Sequence, residues 1–375
     1  MFGIYSFYSL FFVFLFILVQ FLNSMYRGKD KKKMYIITFV ILFIMSGMRG
    51  ISVGGDLDNY IPEFETVART SSIASALMAG YHEPGYVLFL KLLGLISADS
   101  RCFLLGTAFC SLIGPFVLFN KYSKDGVTSI LLYYAMGYYT NTFNNVRQSL
   151  ALSIIFLSIP FLVDRKFWKY LIGVVIATSF HYSAIVMLLV YPLSRKILTT
   201  KHLLLYAGLG LFVSYFLFYY IFGYVAQYFI FKFDPESIME NNSGGGYGLF
   251  AFYVLVFIAV SFFYFANRKY WDIKTQLTMS LIVLFQLLTM VIQLAAPKFH
   301  SMMRMAQYLF IPFATIAIPY IHGLIKNKFT KQTVYFVAYA YAIYRMTFYV
   351  YSYNPETGSN SQNVIPYVFG EIVLF

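Results

Sequence analysis

Long apolar runs alternate with short polar intervals along almost the whole chain. Phe2 to Leu22, Cys102 to Phe119, Leu203 to Phe222, Leu249 to Ala266 and Leu277 to Ala296 each approach the length of a bilayer crossing, which needs roughly 20 residues of helix. Met34 to Gly47, Ile311 to Ile325 and Val334 to Val350 are shorter runs of the same kind. Val127 to Val163 begins and ends at basic clusters, so it reads as a hairpin turning at Thr140 to Asn145. Trp168 to Leu193 is long enough for one crossing, but basic residues flank both ends. Two half-helices meeting around Ser179 to Ser183 resolve this, with one tilted helix as the alternative. Irregular backbone at that depth is tolerated where it lines a cavity or is buried in protein. Pro84 to Ile96 is too short to span. The expectation is an all-α, polytopic helical integral membrane protein of roughly 10–12 transmembrane or half-spanning helices, one domain over residues 1–375. Runs such as SLFFVFLFILVQFL exclude a membrane barrel, whose strands alternate every residue.

One stretch breaks the pattern. Met48 to Lys91 carries Arg49, Asp56, Asp58, Glu63, Glu65, Arg69 and Glu83 between apolar segments. Connections between helices are usually short, so a long polar insertion is either functional or disordered. Here charges alternate with Tyr60, Phe64, Tyr81 and Tyr86, which favours an ordered wall.

Composition and charge placement add sidedness. Charged residues make up 11% of the chain and hydrophobic residues 60%, against about a quarter charged in a soluble domain. The net charge of +13 gathers in six intervals: Arg27 to Lys33, Lys121 and Lys124, Arg165 to Lys169, Arg195 to Lys201, Arg268 to Lys274, and Lys326 to Lys331. They hold only four acids, Asp30, Asp125, Asp164 and Asp272. Basic residues favour the cytoplasmic side of short loops, so all six belong inside. The charge is a topology signal and no nucleic-acid partner is expected. The first apolar run has its basic residues after it, the reverse of a signal peptide. Segments 48–100, 223–248 and 297–304 and the tail 351–375 then lie outside. Cys102 and Cys110, eight apart in one run, read as packing residues.

Candidate chemistry converges on that outer side. Arg147 opens a membrane helix, where an ionisable group by default marks function. Arg49 ends a membrane segment and Arg304 begins one. Three guanidiniums would receive a diphosphate, because arginine grips phosphate oxygens with paired donors; the alternative is that each pairs with Asp56, Glu83 or a lipid phosphate. Glu83 and Asp56 are candidate general bases, on the argument that an apolar wall raises a carboxyl pKa; the alternative is a structural ion pair. His181, at the expected helix break, is the third candidate base or else a hydrogen-bonded structural residue. His82 and His300 are expected to face solvent. No histidine pair has metal-ligand spacing, and no metal or cofactor is expected. The GGGYG run, Gly244 to Gly248, lacks the Lys-Ser/Thr of a phosphate loop and reads as a hinge or lid. Tyr60, Tyr81, Tyr86 and Tyr247 are aromatics of the kind that stack on sugar rings.

In order and spacing, MRGISVGGDLDNY, HEPGY, NNVRQSLALSI, FHYSAIVMLLVYP and MMRMAQY resemble the EpsG-type branch of the Wzy polysaccharide polymerases. Arg49, Asp56, Tyr60, Glu83, Tyr86, Asn144, Arg147, Gln148, His181 and Arg304 carry the resemblance. It implies a GT-C-like glycosyltransferase of the bacterial inner membrane with its active site facing the periplasm. Such an enzyme transfers a growing O-antigen, capsule or exopolysaccharide chain from undecaprenyl diphosphate to an undecaprenyl-diphosphate-linked repeat unit. The implied partners are those lipid-linked oligosaccharides, the bilayer, a chain-length regulator and a flippase. The rival readings are a lipid-linked oligosaccharide flippase, whose charges should line both halves of its cavity, an O-antigen ligase, and a membrane scaffold.

Overall fold

The computed structural model describes residues 2–26, 28–194, 196–216, 246–296, 300–351, 353–354, 359–360, 367–370 and 372–374. They are overwhelmingly helical, as expected of a polytopic membrane protein. Five helices are long and apolar enough to cross a membrane among the described residues: Phe7–Met25, Ser100–Tyr122, Val146–Val163, Tyr247–Tyr270 and Ile273–Ala295. The chain forms two compact units. One comprises Met1–Phe161, Trp168–Tyr182 and Ala314–Phe375; the other comprises Leu162–Phe167 and Ser183–Phe313.

In the first unit α1 (Phe2–Met25) and α2 (Lys31–Gly47) come first, and α2 packs along α6 (Ser100–Tyr122). Phe39 of α2 meets Phe109 and Phe116 of α6 edge-on at 5.7 and 5.6 Å between ring centres. Between α2 and α6 the polar insertion folds into α3 (Leu57–Ala68), α4 (Ile73–Ala79) and α5 (Pro84–Gly94). Helix α3 forms because Leu57, Tyr60, Phe64 and Val67 repeat at helical spacing and present one stripe. That stripe is buried with Tyr86, Val87 and Leu90 of α5 and Phe103 and Leu104 of α6. Ser72 opens α4 with a capping box to Ser75, and Asp99 caps α6 through the Arg101 amide at 2.7 Å. Each cap satisfies an amide left open at a helix start.

The hairpin reading of 127–163 holds, with one correction. Its first arm is α7 (Gly126–Ala135), only ten residues long and buried on every side, followed by a short α8 (Tyr138–Asn141). A helix apolar all round belongs in the protein interior, so α7 is a core helix and no full crossing. The chain then turns at 142–145 and enters α9 (Val146–Val163). The break in 168–193 is also present. Helix α10 (Phe167–Phe180) ends as the His181 amide bonds to Ala177 O at 3.0 Å, and a tighter 3-10 segment, Tyr182–Leu189, follows. A short α11 (Val190–Leu193) completes it.

Two glycines allow the close approaches that shape this wall. Gly54 has φ +126°, and a Cβ there would lie 2.6 Å from Phe143 O, so the loop before α3 seats against the 142–145 turn. A Cβ on Gly85 would lie 2.1 Å from Ser179 Oγ, so only glycine lets α5 abut the end of α10. In the tail, strand β3 (Tyr367–Phe369) pairs with β4 (Ile372–Leu374) and ties back to the end of α2: Gly50 N donates to Val368 O and Gly370 N to Met48 O, both at 2.7 Å.

The second unit is built from α12 (Thr200–Val213), α13 (Gly246–Asn267), α14 (Ile273–Ala295) and α15 (His300–Pro312). Tyr264 of α13 donates to Leu198 O at 2.9 Å, and Ser280 of α14 accepts the Leu198 amide at 3.1 Å. The expected outer loop at 297–304 is shorter than the sequence implied. Helix α15 already starts at His300, because no breaker interrupts SMMRMAQYLFI before Pro312, and a π-turn (Phe313–Ala317) leads into α16 (Ile318–Leu324). Arg304 therefore sits on a helix. Most of the 223–248 segment, including Gly244 and Gly245, lies outside the described residues.

Candidate active site

The wall is organised by an extended dipeptide in front of a proline. Pro84 stands at the first turn of α5, where its missing N–H costs nothing and its fixed φ suits the helix. A residue before proline is held out of the helical region, and Glu83 accordingly has φ −60° and ψ 143° with no bond to its own helix end. Its carboxylate is thereby released to other elements. Oε2 accepts from Arg147 Nη1 at the start of α9. Oε1 lies 3.2 Å from His181 Nδ1 and accepts the Tyr182 amide at 3.2 Å, where the chain leaves α10. One side chain therefore joins α5, α9 and the break after α10.

Arg147 is further held by Tyr60 of α3, whose hydroxyl lies 3.4 Å from Nε and whose ring centre lies 5.9 Å from the guanidinium carbon. The Arg147 side chain remains 19% exposed, whereas that of Glu83 is 3% exposed. The Arg147 side chain thus keeps some exposure beside a sealed counter-charge.

The electrostatics reverse the expectation of a raised carboxyl pKa. Burial does push Glu83 upward, but the His181 hydrogen bond and the Arg147 charge outweigh it and hold the carboxyl at about 2. Glu83 is anionic at every physiological pH and committed to its partners.

Glu63 provides the second anchor, which sequence reasoning passed over. It accepts the Tyr81 amide at 2.7 Å through Oε1 and pairs with His82 Nδ1 through Oε2. His82 is therefore not the solvent-facing residue expected; its side chain is 23% exposed, while that of Glu63 is 1% exposed. The signal was present in the stripe of α3, where Glu63 falls beside Phe64 on the buried face. A glutamate there needs a partner. His82 and Glu83, adjacent in an extended segment, serve different partners, as alternating side chains do. Tyr60 lies between the two ion pairs, its ring centre 5.7 Å from that of His82 and 5.9 Å from that of Tyr86. Tyr86 is fully buried, and its hydroxyl has no hydrogen-bond partner among the described residues.

The other expected site residues divide. Asn144 and Gln148 flank Arg147 and are buried. Asp56 is half-buried at the start of α3, where its carbonyl accepts from the amides of Asn59 and Tyr60. Arg49 is only 1% exposed. Its Nη1 donates to Ser46 O at 2.5 Å and its Nε to Val53 O at 3.2 Å, and the guanidinium covers the Phe143 ring at 4.8 Å. Burial pushes its pKa down to about 10, which still leaves it charged at neutral pH. Tyr247 and Arg304 belong to the second unit, Tyr247 exposed at the start of α13 and Arg304 on the first turns of α15.

No curated protein and no solved structure matches the chain. The sequence pattern of the EpsG family does match, over residues 32–369, which takes in Glu63, His82, Glu83, Arg147 and His181. The chain belongs to the EpsG family.

Proposed function

We propose that this membrane protein is a polysaccharide polymerase. It would transfer a growing glycan from undecaprenyl diphosphate to a sugar hydroxyl of an undecaprenyl-diphosphate-linked repeat unit, on the periplasmic face of the bacterial inner membrane. The observation that carries the reading is Arg147, held by Glu83 and Tyr60 with its side chain still partly exposed. A guanidinium in that setting is a preorganised partner for the diphosphate as it departs with its developing charge, and such stabilisation is usually the largest catalytic contribution. EpsG-family membership and the bunching of basic residues in short intervals of the sequence, expected on the cytoplasmic side, support the same reading.

In this account Glu83 is the positioning residue. It orients Arg147 and fixes His181 at the end of α10, and both of its oxygens are engaged there. Arg49 is a brace that holds the end of α2. Tyr60 and Tyr86 line the wall, and confinement of two lipid-anchored substrates at one face adds a proximity contribution. Asp56 and His181 keep their proposed places as acid–base candidates. A flippase is disfavoured by the gathering of ion pairs on α3, α5, α9 and the break after α10, one wall rather than two halves of a path.

Deletion of the gene should remove long surface glycans and leave single lipid-linked repeats. Complementation with Arg147→Ala should leave that phenotype in place. A wild-type glycan ladder from Arg147→Ala cells refutes the assignment.

A further inference from the structure

The general base of the reaction remains open once Glu83 is committed to Arg147 and His181. We infer that His82, oriented by Glu63, accepts the proton of the attacking sugar hydroxyl. The inference rests on the polymerase reading above and assigns a role within it.

Three observations carry it. Glu63 is sealed in the protein and fixes the imidazole by pairing with Nδ1, while its other oxygen holds the Tyr81 backbone amide. A carboxylate on Nδ1 favours the tautomer that carries its proton there and leaves the lone pair of the neutral ring on Nε2. Nε2 makes no hydrogen bond among the described residues, and the side chain is 23% exposed. Finally, Tyr60 is shared: its ring centre lies 5.7 Å from that of His82 and 5.9 Å from the Arg147 guanidinium carbon. A base and a diphosphate-binding cation therefore neighbour one aromatic ring. His181 is also paired through Nδ1 with a sealed carboxylate, but its side chain is only 11% exposed and that carboxylate is already taken by Arg147.

The proposed step is balanced. The acceptor hydroxyl oxygen bonds to the anomeric carbon of the growing chain, and the bond from that carbon to the diphosphate oxygen breaks. Its electron pair leaves on the diphosphate, which faces Arg147. The hydroxyl proton passes to Nε2 of His82 and from the imidazolium to water. The ionisable groups around His82 are Glu63 and Tyr60 on α3, Tyr86 on α5, and Tyr81 and Glu83 on its own segment, with Arg147 of α9 beyond Tyr60.

The test uses the full-length protein in lipid vesicles, with lipid-linked repeat units extracted from a strain lacking this gene as the probe. His82→Asn keeps an N–H near the Nδ1 position for Glu63 but removes the base. A general base contributes about 100-fold or more to turnover, so kcat should fall by that factor while KM stays within about threefold. Glu63→Gln tests the positioning residue: an amide no longer fixes which ring nitrogen carries the proton, so kcat should fall while KM holds, and Glu63→Asp should restore part of the loss. Should His82→Asn fail to accumulate, Glu63→Gln decides, and a wild-type kcat there overturns the assignment. A wild type that elongates nothing refutes the polymerase reading itself. An elongating wild type matched by an equally active His82→Asn refutes only the base.

Discussion

Arg49, buried, and Arg147, half-buried, stand at the ends of two helices, and their surroundings differ in kind. Arg49, just past α2, spends its donors on Ser46 and Val53 carbonyls and lies against Phe143. Arg147, at the start of α9, meets a carboxylate and a tyrosine and keeps some exposure. Carbonyls take Nε and Nη1 of Arg49 without a counter-charge, while Nη2 is buried with no hydrogen-bond partner among the described residues, so what these bonds stabilise is the chain that supplies the carbonyls. A carboxylate sealed beside Arg147 instead fixes a cation in place while its side chain keeps some exposure for a second anion. Burial alone does not mark the functional arginine; the identity of its partners does.

Lysine substitutions break the comparison most sharply. Arg147→Lys keeps the charge but loses the fork that binds two phosphate oxygens, and removing such stabilisation costs about 100-fold or more in turnover. Chain elongation in vesicles should fall by that factor while the protein still accumulates. Arg49→Lys should do the reverse. Hydrogen bonds from a charged group are worth about 1.5–3 kcal/mol each, so thermal unfolding should show a loss of about 3 kcal/mol. Activity per folded molecule should remain near wild type.

Glu83→Gln comes next in size. It leaves Arg147 without its counter-charge in a largely enclosed place. Breaking a fully buried pair costs about 3–5 kcal/mol, and the partial exposure of Arg147 reduces this to about 2 kcal/mol. The same residue sets a pH dependence. Its folded-state pKa is depressed from 4.5 to about 2, so its contribution is fully present above 4.5 and is lost as the pH falls through 2. The stability difference between wild type and Glu83→Gln should hold from neutral pH down to 4.5 and shrink below it.

The two glycines give the smallest expected effects. Gly85→Ala places a Cβ against Ser179, and such overpacking costs about 1–3 kcal/mol. Gly54→Ala forces alanine to φ +126°, a strain of about 1–3 kcal/mol. Both should lower the melting temperature. Only Gly85→Ala should also slow elongation, since α5 carries Glu83.

Much of this was legible beforehand. Apolar run lengths placed α1, α6, α9, α13 and α14, and flanking basic residues forced the hairpin at 140–145 and the break at His181. Both are strong signals because desolvated backbone and charge are costly in a bilayer. What escaped was pairing. A sequence shows that Glu83, Arg147 and His181 are costly to bury, but not that one carboxylate takes both cations, so the sign of its pKa shift came out inverted. His82 was missed because its partner, Glu63, lies a helix and a loop away. Arg304 was set in a loop because the loop's length was judged from polarity, although SMMRMAQYLFI continues a helical pattern without a breaker.

The most direct measurement is the affinity of the purified protein for undecaprenyl diphosphate, compared among wild type, Arg147→Lys and Arg49→Lys. The account predicts weakening of about tenfold or more for Arg147→Lys, the loss of one charge-assisted bond, and wild-type affinity for folded Arg49→Lys. Equal affinity in wild type and Arg147→Lys, with loss in Arg49→Lys, would contradict it.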